Sequence, residues 1–178
     1  MKVMNVLSVS FFAVAVALVT CGVACSPGTD AEKSGSVGIT FPSSNAAIAT
    51  DTIELRVYDS TIQGNDCLTL VESEQKTQPL PKPIYDSGKI NTCTYLANGG
   101  VKPFDMGYGS RSFLVVGQRA PTGQQAADFM IGCSVAGIGD VSNSVNVDLS
   151  VFDPTSQVPD STKCASLSDR CTKNITCY

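Results

Sequence analysis

No histidine and no tryptophan occur in the 178 residues, and charged side chains make up only 16% of them. Without an imidazole there can be no Ser-His-Asp or Cys-His catalytic unit, no imidazole metal ligand, and no side chain of the type that usually titrates near neutrality. Without an indole, the ring on which β-sandwich carbohydrate modules often stack sugars is missing, and only tyrosines could substitute. Basic residues are also few: 12 Lys and Arg stand against 16 Asp and Glu, a net charge of −4, with no basic cluster. Phosphate binding needs a concentrated basic patch, so no nucleic acid is expected as a partner. Neither G-x-S-x-G nor S-x-x-K stands in a strand-turn-helix setting, no pair of carboxylates stands out, and no repeat of 20 to 50 residues is visible.

What is present begins with an apolar run. Met1-Lys2 is followed by Val3 to Val19 with only Asn5, Ser8 and Ser10 as polar interruptions, and then by Thr20-Cys21-Gly22-Val23-Ala24-Cys25. One early positive charge, an apolar middle and small residues before a cysteine resemble a bacterial lipoprotein signal peptide, implying cleavage after residue 24 and acylation of Cys25. Cys21 competes: Leu18 and Val19 suit it, whereas Thr20 suits the cut poorly and Gly22 stands where a Leu usually precedes Cys25. An ordinary secretory peptide and a retained helix are the other readings, although a spanning helix needs roughly 20 apolar residues. Acylation at Cys25 leaves Cys67, Cys93, Cys133, Cys164, Cys171 and Cys177, an even set suited to an oxidising compartment. With more than one palmitate-type chain, at about 0.8 kcal/mol per buried methylene, the expected partner is a membrane and the attachment lasting.

The expected organisation is a signal peptide over 1–24, an acylated cysteine and flexible tether over 25–36, a folded domain over 37–153, and a Cys-rich tail over 154–178 packed on that domain. The domain reads as strands, because apolar residues recur with period two. Val37, Ile39 and Phe41 alternate, as do Ile53, Leu55 and Val57 against Glu54, Arg56 and Tyr58, and Val145, Val147, Leu149 and Val151 against Asn146, Asp148 and Ser150. Arg111–Arg119 and Phe129–Val135, joined through Thr122-Gly123-Gln124-Gln125, predict an antiparallel hairpin. Weaker strand patterns cover Ile90–Leu96 and Val101–Asp105. Ser43–Ala49 offers a capped helical turn, and Asp66–Gln75 a short helix with Cys67, Leu70, Val71 and Glu74 on one side. Lys76–Pro83, with three prolines, predicts an extended connector. About seven strands with frequent Gly, Pro, Asn and Asp predict an all-β fold, a single antiparallel β-sandwich with one short helix laid across it.

The segments Phe41-Pro42-Ser43-Ser44, Ala46-Ala47-Ile48-Ala49, Leu80-Pro81-Lys82-Pro83, Gly109–Val116 and Phe129–Cys133 resemble those of uncharacterised lipoproteins of Gram-negative bacteria, over roughly residues 36 to 171. The resemblance implies an immunoglobulin-like or transthyretin-like domain and carries no catalytic residues with it.

The six cysteines after Cys25 are expected to form three disulfides. Cys67 with Cys93, Cys133 with Cys164 or Cys171, and one pair within the tail is one of fifteen possible pairings. A metal site at Cys164, Cys171 and Cys177 has spacings of seven and six with no CxxC, so no metal and no cofactor are expected. The aspartates at turns (Asp51, Asp59, Asp66, Asp128, Asp140, Asp148, Asp153, Asp160 and Asp169) could ligate calcium, but no D-x-[DN]-x-[DN]-G loop occurs and such residues more often satisfy backbone donors. Gly107-Tyr108-Gly109-Ser110-Arg111 resembles a phosphate loop yet lacks Gly-Lys-Ser/Thr and precedes a strand, so a turn is expected. Tyr85, Tyr95, Tyr108 and Tyr178 could line a binding face. Asn174-Ile175-Thr176 matches a glycan acceptor by accident.

Together these readings predict a non-enzymatic outer-membrane lipoprotein of the cell envelope, facing the periplasm or the cell surface. Its role would be structural, adhesive or partner-recognising through loops, with an envelope protein or polysaccharide as partner. The alternative is a periplasmic accessory or inhibitor domain that binds an enzyme or polysaccharide. An enzyme stands third.

Overall fold

The computed structural model describes residues 33–121, 123–139, 143–173 and 177. The apolar leader, Cys25, Asp140, Asn174-Ile175-Thr176 and Tyr178 lie outside them. Among the described residues no helix is long and apolar enough to cross a membrane.

The period-two segments become strands that are shared between two sheets. In chain order the elements are β1 (Lys33–Thr40), α1 (Ser44–Ala49), β2 (Thr52–Asp59), α2 (Cys67–Gln75), β3 (Tyr85–Asn91), α3 (Thr92–Ala97), β4 (Val101–Met106), β5 (Gly109–Arg119), β6 (Ala127–Ile138), β7 (Asn143–Asp148), β8 (Ser150–Val151) and α4 (Leu167–Lys173). One sheet runs β4-β1-β7 and the other β3-β2-β5-β6-β8. The fold is mostly β, as expected, and among the described residues it has four helices where one short helix and one helical turn were predicted. Its longest hairpin is the predicted one, β5 with β6, running from Gly109↔Ile138 to Arg119↔Ala127.

One core lies between the sheets. Val37 of β1, Phe104 of β4 and Val147 of β7 meet Leu55, Val57, Phe113, Val115 and Met130 of the larger sheet, and Ala46 and Ala49 of α1 close one end. Phe104 and Phe113 tilt together with centroids 5.5 Å apart, a pairing that adds to the area they bury. The outer face of the larger sheet is covered as well. Tyr58, Leu114, Val116 and Ile131 pack beneath Leu70 and Val71 of α2, the helix predicted to lie across the sheets. Hence β2 is buried on both faces and not half-buried as its alternation suggested.

Several expectations need correction. The sheets are not purely antiparallel, because β1 runs parallel to β7 from Gly35↔Asn143 to Thr40↔Asp148. The span expected as tether, 25–36, overlaps the fold, since Lys33 to Ser36 already pair with β4. Ile90–Leu96 is not a strand: the chain leaves β3 at Asn91, whose side chain accepts from the Cys93 N–H at 2.8 Å and caps α3. Local capping competes successfully with extended backbone there.

The apolar alternation from Val145 to Val151 also serves two strands and not one. β7 pairs with β1 as far as Asp148, Leu149 donates its N–H to Thr40 at 2.9 Å, and Val151 then pairs with Met130 in the other sheet. Leu149 stays in the core while the backbone changes sheets. The crossing is tight enough that a Cβ on Gly132 would meet the Asp148 carbonyl. Only glycine leaves room there.

The two sheets share a polarity. β1 begins, β2, β4 and β6 end, and β5 and β7 begin at one end of the molecule, as the pairs Lys33↔Met106, Asp59↔Arg111 and Gly109↔Ile138 require. We call this end proximal. At the distal end lie α1, α3, α4, the β5–β6 loop and the C-terminal tail.

Candidate functional site

The distal end is assembled by cross-links that no local pattern announces. Cys93 of α3 is joined to Cys171 of α4, and Cys164 to Cys177 within the tail, while Cys67 of α2 is joined to Cys133 of β6. All six cysteines are thus paired and the tail pair was expected, but Cys67–Cys93 and a bond from Cys133 to the tail are overturned. The reason is placement: α2 lies on the outer face of the larger sheet, where Cys133 sits, whereas Cys93 opens α3 at the distal end. Cys164, Cys171 and Cys177 hold no metal site, being bonded to other cysteines.

The tail is further seated by Arg170. It donates to the backbone carbonyls of Ile48 and Thr50 and forms an ion pair with Asp51. The second Asp51 carboxylate oxygen accepts from the Ala120 N–H at 2.6 Å, and its main chain bonds Gln118 and Thr92. One aspartate therefore gathers α3, α4 and the end of β5, and Arg170 adds α1 through the Ile48 carbonyl. Asn45 adds a bond to Asp160 of the tail at 3.1 Å.

Among the described residues, three pockets open at this end. The first, about 490 Å³, is bounded by Ile90 of β3, Thr94, Tyr95 and Asn98 around α3, and Val101, Lys102 and Pro103 of β4. Tyr95 is buried and fixed, accepting from the Ile39 N–H at 2.8 Å while donating to the Gly100 carbonyl, and burial pushes its phenol pKa up. The second, about 220 Å³, lies between Arg119, Gln125, Asp128, Phe129 and Ser156. The third, about 370 Å³, borders the Cys93–Cys171 bond with Leu96, Ala97, Ser168 and Thr172. Apolar walls with an amide, a hydroxyl and one ammonium at the rim suit the binding of a partner side chain. The lining of the first pocket holds no carboxylate.

The charged residues of the sheet form a separate group. On the outer face of β2, Arg56 donates through Nε to Glu54 at 2.7 Å and through Nη1 to both Glu74 oxygens at 3.2 Å. Burial raises the Glu74 carboxyl pKa, opposed by Arg56, and raises the Tyr58 phenol. These acids share an arginine beneath α2, and none of the three pockets is lined by them. Their chemistry is that of a partly buried ion-pair network, which fixes the helix on the sheet.

The other sequence candidates do not converge. Asp59 accepts from Thr61, Asp66 from Thr69, Asp128 from Gln118, Asp148 from Asn146, and Asp153 from Thr155. Asp169 accepts from the Ala165 N–H. Among the described residues no group of three or more His, Cys, Asp or Glu could hold a metal ion. The Gly107–Arg111 segment is a turn at Gly107-Tyr108 that runs into β5 and is filled by Arg111, which donates to the Gly107, Tyr108 and Ser110 carbonyls and lies 3.4 Å from Asp59. Gly109 has φ 130°, and a Cβ there would strike the Arg111 guanidinium at 2.8 Å. Tyr85 packs against the main core, Tyr95 lies at the distal pocket and Tyr108 at the proximal end, so they form no patch.

Arg170, α3 and the distal pocket were missed by sequence reasoning. The only signal was the Cys171 beside Arg170, which marked the segment as tethered but not to what. No protein-family model, curated protein or solved structure matches the chain.

Proposed function

We propose that the chain is a non-enzymatic, lipid-anchored protein of the bacterial outer envelope, acylated at Cys25, which holds out its distal end to a protein or polysaccharide partner. Its domain is an immunoglobulin-like or transthyretin-like sandwich elaborated with helices, in keeping with the resemblance to Gram-negative lipoproteins. The observation that carries this reading is polarity. The chain enters the domain at Lys33, at the proximal end, whereas, among the described residues, the pockets bounded by Tyr95, Phe129 and Cys93 and two of the three disulfides lie at the distal one. A tethered recognition module needs its rigid, braced surface away from its attachment. Three disulfides further suit an oxidising compartment.

The test has two arms on the full chain expressed in a Gram-negative host. Intact mass should show a diacylglyceryl adduct that Cys25→Ser abolishes together with membrane association; an adduct that persists sinks the assignment of Cys25. A photo-cross-linking residue at Asn98 should give a discrete adduct in intact cells that Lys102→Glu diminishes, and one at Gln63 of the proximal loop should not. Equal yields from both sites would sink distal recognition. The accessory or inhibitor role is favoured if the captured partner is an enzyme whose turnover falls when the protein is added.

A further inference from the structure

Exposed apolar side chains are unevenly placed. Among the described residues seven large hydrophobics are exposed: Ile62, Leu68, Ile84, Leu96, Val101, Tyr108 and Val135. Leu96 and Val101 belong to the distal pockets. The other five lie at the proximal end or in the half of the larger sheet beside it.

Their positions follow from register. Ile62 is in the loop after β2 and donates its N–H to Asp59, the last residue of that strand. Tyr108 is in the turn between β4 and β5. Ile84 bonds the Val57 carbonyl, two residues before the end of β2, and Val135 stands three residues before the end of β6. At about 3.4 Å per residue, both lie within roughly 10 Å of the strand ends. Leu68 follows Cys67, which is bonded to Cys133, five residues before the end of β6. Ile62, Leu68, Ile84 and Val135 are 58, 70, 53 and 55% exposed, well beyond what packing against neighbours would leave.

We infer that this proximal end is a lipid-docking surface, seated on the membrane that holds the acyl chains. The inference rests on the proposed acylation of Cys25. From Cys25 to Lys33 the chain can span at most about 29 Å, at roughly 3.3–3.6 Å per residue. The proximal end, where the chain enters the domain, is therefore held within reach of the bilayer surface. Apolar side chains reaching about 5–10 Å into the headgroup region, with a tyrosine among them, are what that environment accommodates.

Of the acids nearby, Asp59 is bound by Thr61 and Arg111, Asp66 caps α2 through Thr69 and Asp86 accepts from the Gly88 N–H, while Asp105, one residue from the end of β4, is exposed and would stay at the hydrated rim. Among the described residues this surface has no exposed basic cluster, so the lipid it fits is zwitterionic, and anionic headgroups are not required.

The chain contains no tryptophan, so a single introduced one reports its own site. Ile62→Trp and Val135→Trp, and as distal controls Leu96→Trp and Val101→Trp, are made in the full, host-processed protein. Each is reconstituted into phosphatidylcholine vesicles whose acyl chains carry bromine. The expected result is quenching of the two proximal probes by about twofold or more, with the distal probes unaffected. Equal emission from all four, in protein whose mass confirms the acyl adduct, overturns lipid docking and leaves the anchor standing. Protein without the adduct overturns both. Blue-shifted but unquenched proximal emission, accompanied by cross-linked dimers, assigns the surface to a second copy of the chain and likewise overturns the proposal.

Discussion

The Arg170 guanidinium rests on the carboxylate of Asp51, an ion pair that spans 119 residues of chain. Both side chains are about four-fifths shielded from water, and the arginine also satisfies the Ile48 and Thr50 carbonyls. Shielding makes such a pair expensive to break from one side, because the partner is left desolvated and unpaired.

Replacing Arg170 by Met should therefore destabilise the protein by about 2–4 kcal/mol in urea unfolding. The Cys93–Cys171 and Cys164–Cys177 bonds would still hold the tail nearby, so the loss measures the clamp itself. A change below about 0.5 kcal/mol, the ordinary surface range, would show that the disulfides seat the tail without it.

Gly132→Ala should cost about 1–3 kcal/mol, since its methyl meets the Asp148 backbone and the Leu149 side chain. Gly137→Ala in the same strand is the control. It has open space around the new Cβ and no positive φ, so its unfolding midpoint should stay or rise slightly. Equal effects at both sites would mean that the crossing is looser than described.

Full-length, processed protein should show no free thiol among Cys67, Cys93, Cys133, Cys164, Cys171 and Cys177 under denaturing conditions. Removing the pairs separately should rank by loop. The separations of 66 and 78 residues predict losses of about 4 to 4.5 kcal/mol, and that of 13 about 3 kcal/mol, by the chain-entropy argument. Peptide mapping that recovered Cys67 linked to Cys93 would refute the arrangement of α2 over β6.

Acid should destabilise the fold. Asp59, Asp66, Asp153 and Asp169 all have carboxyl pKa values lowered, chiefly by hydrogen bonds from Thr61, Thr69, Thr155 and Ala165. A lowered folded pKa contributes stability that is present above the unfolded value, near 3.9, and lost as pH falls through the folded one. Glu74 acts in the other sense. Its raised pKa gives a contribution present below about 4.3, the unfolded value, and lost as pH rises. Urea midpoints from pH 8 to 2 should fall below about pH 4, and the stability of the wild type relative to Glu74→Gln should decline as pH rises through the carboxyl range. A difference that grew with pH would contradict the burial of Glu74.

Strands were legible where alternation was long and turns carried Gly or Pro, as in β2, β5 and β6. Both helices over Ser44–Ala49 and Cys67–Gln75 could be read because Ser43 and Asp66 stand as caps before them. What escaped was long-range. Nothing near Lys33 shows that β1 lies between β4 and β7, and nothing in Val145–Val151 shows a change of sheet, because inward-facing residues alternate identically on either side of Leu149. α3 was obscured by β-branched and aromatic residues, Thr92, Thr94 and Tyr95, whose helical state depends on the Asn91 cap and on partners in β1 and α4. Paired cysteines were legible as a set, but their pairing depended on which face each element presented.

The place of β1 between β4 and β7 also decides how the molecule bears force. A pull transmitted through the N-terminal segment enters at Lys33 and runs along the strand, while its ladder bonds to both neighbours lie across the strand. Those bonds are loaded together in shear, and cannot be peeled one at a time. With an N-terminal attachment and a partner held at the other end, tension would meet the fold along its strongest axis.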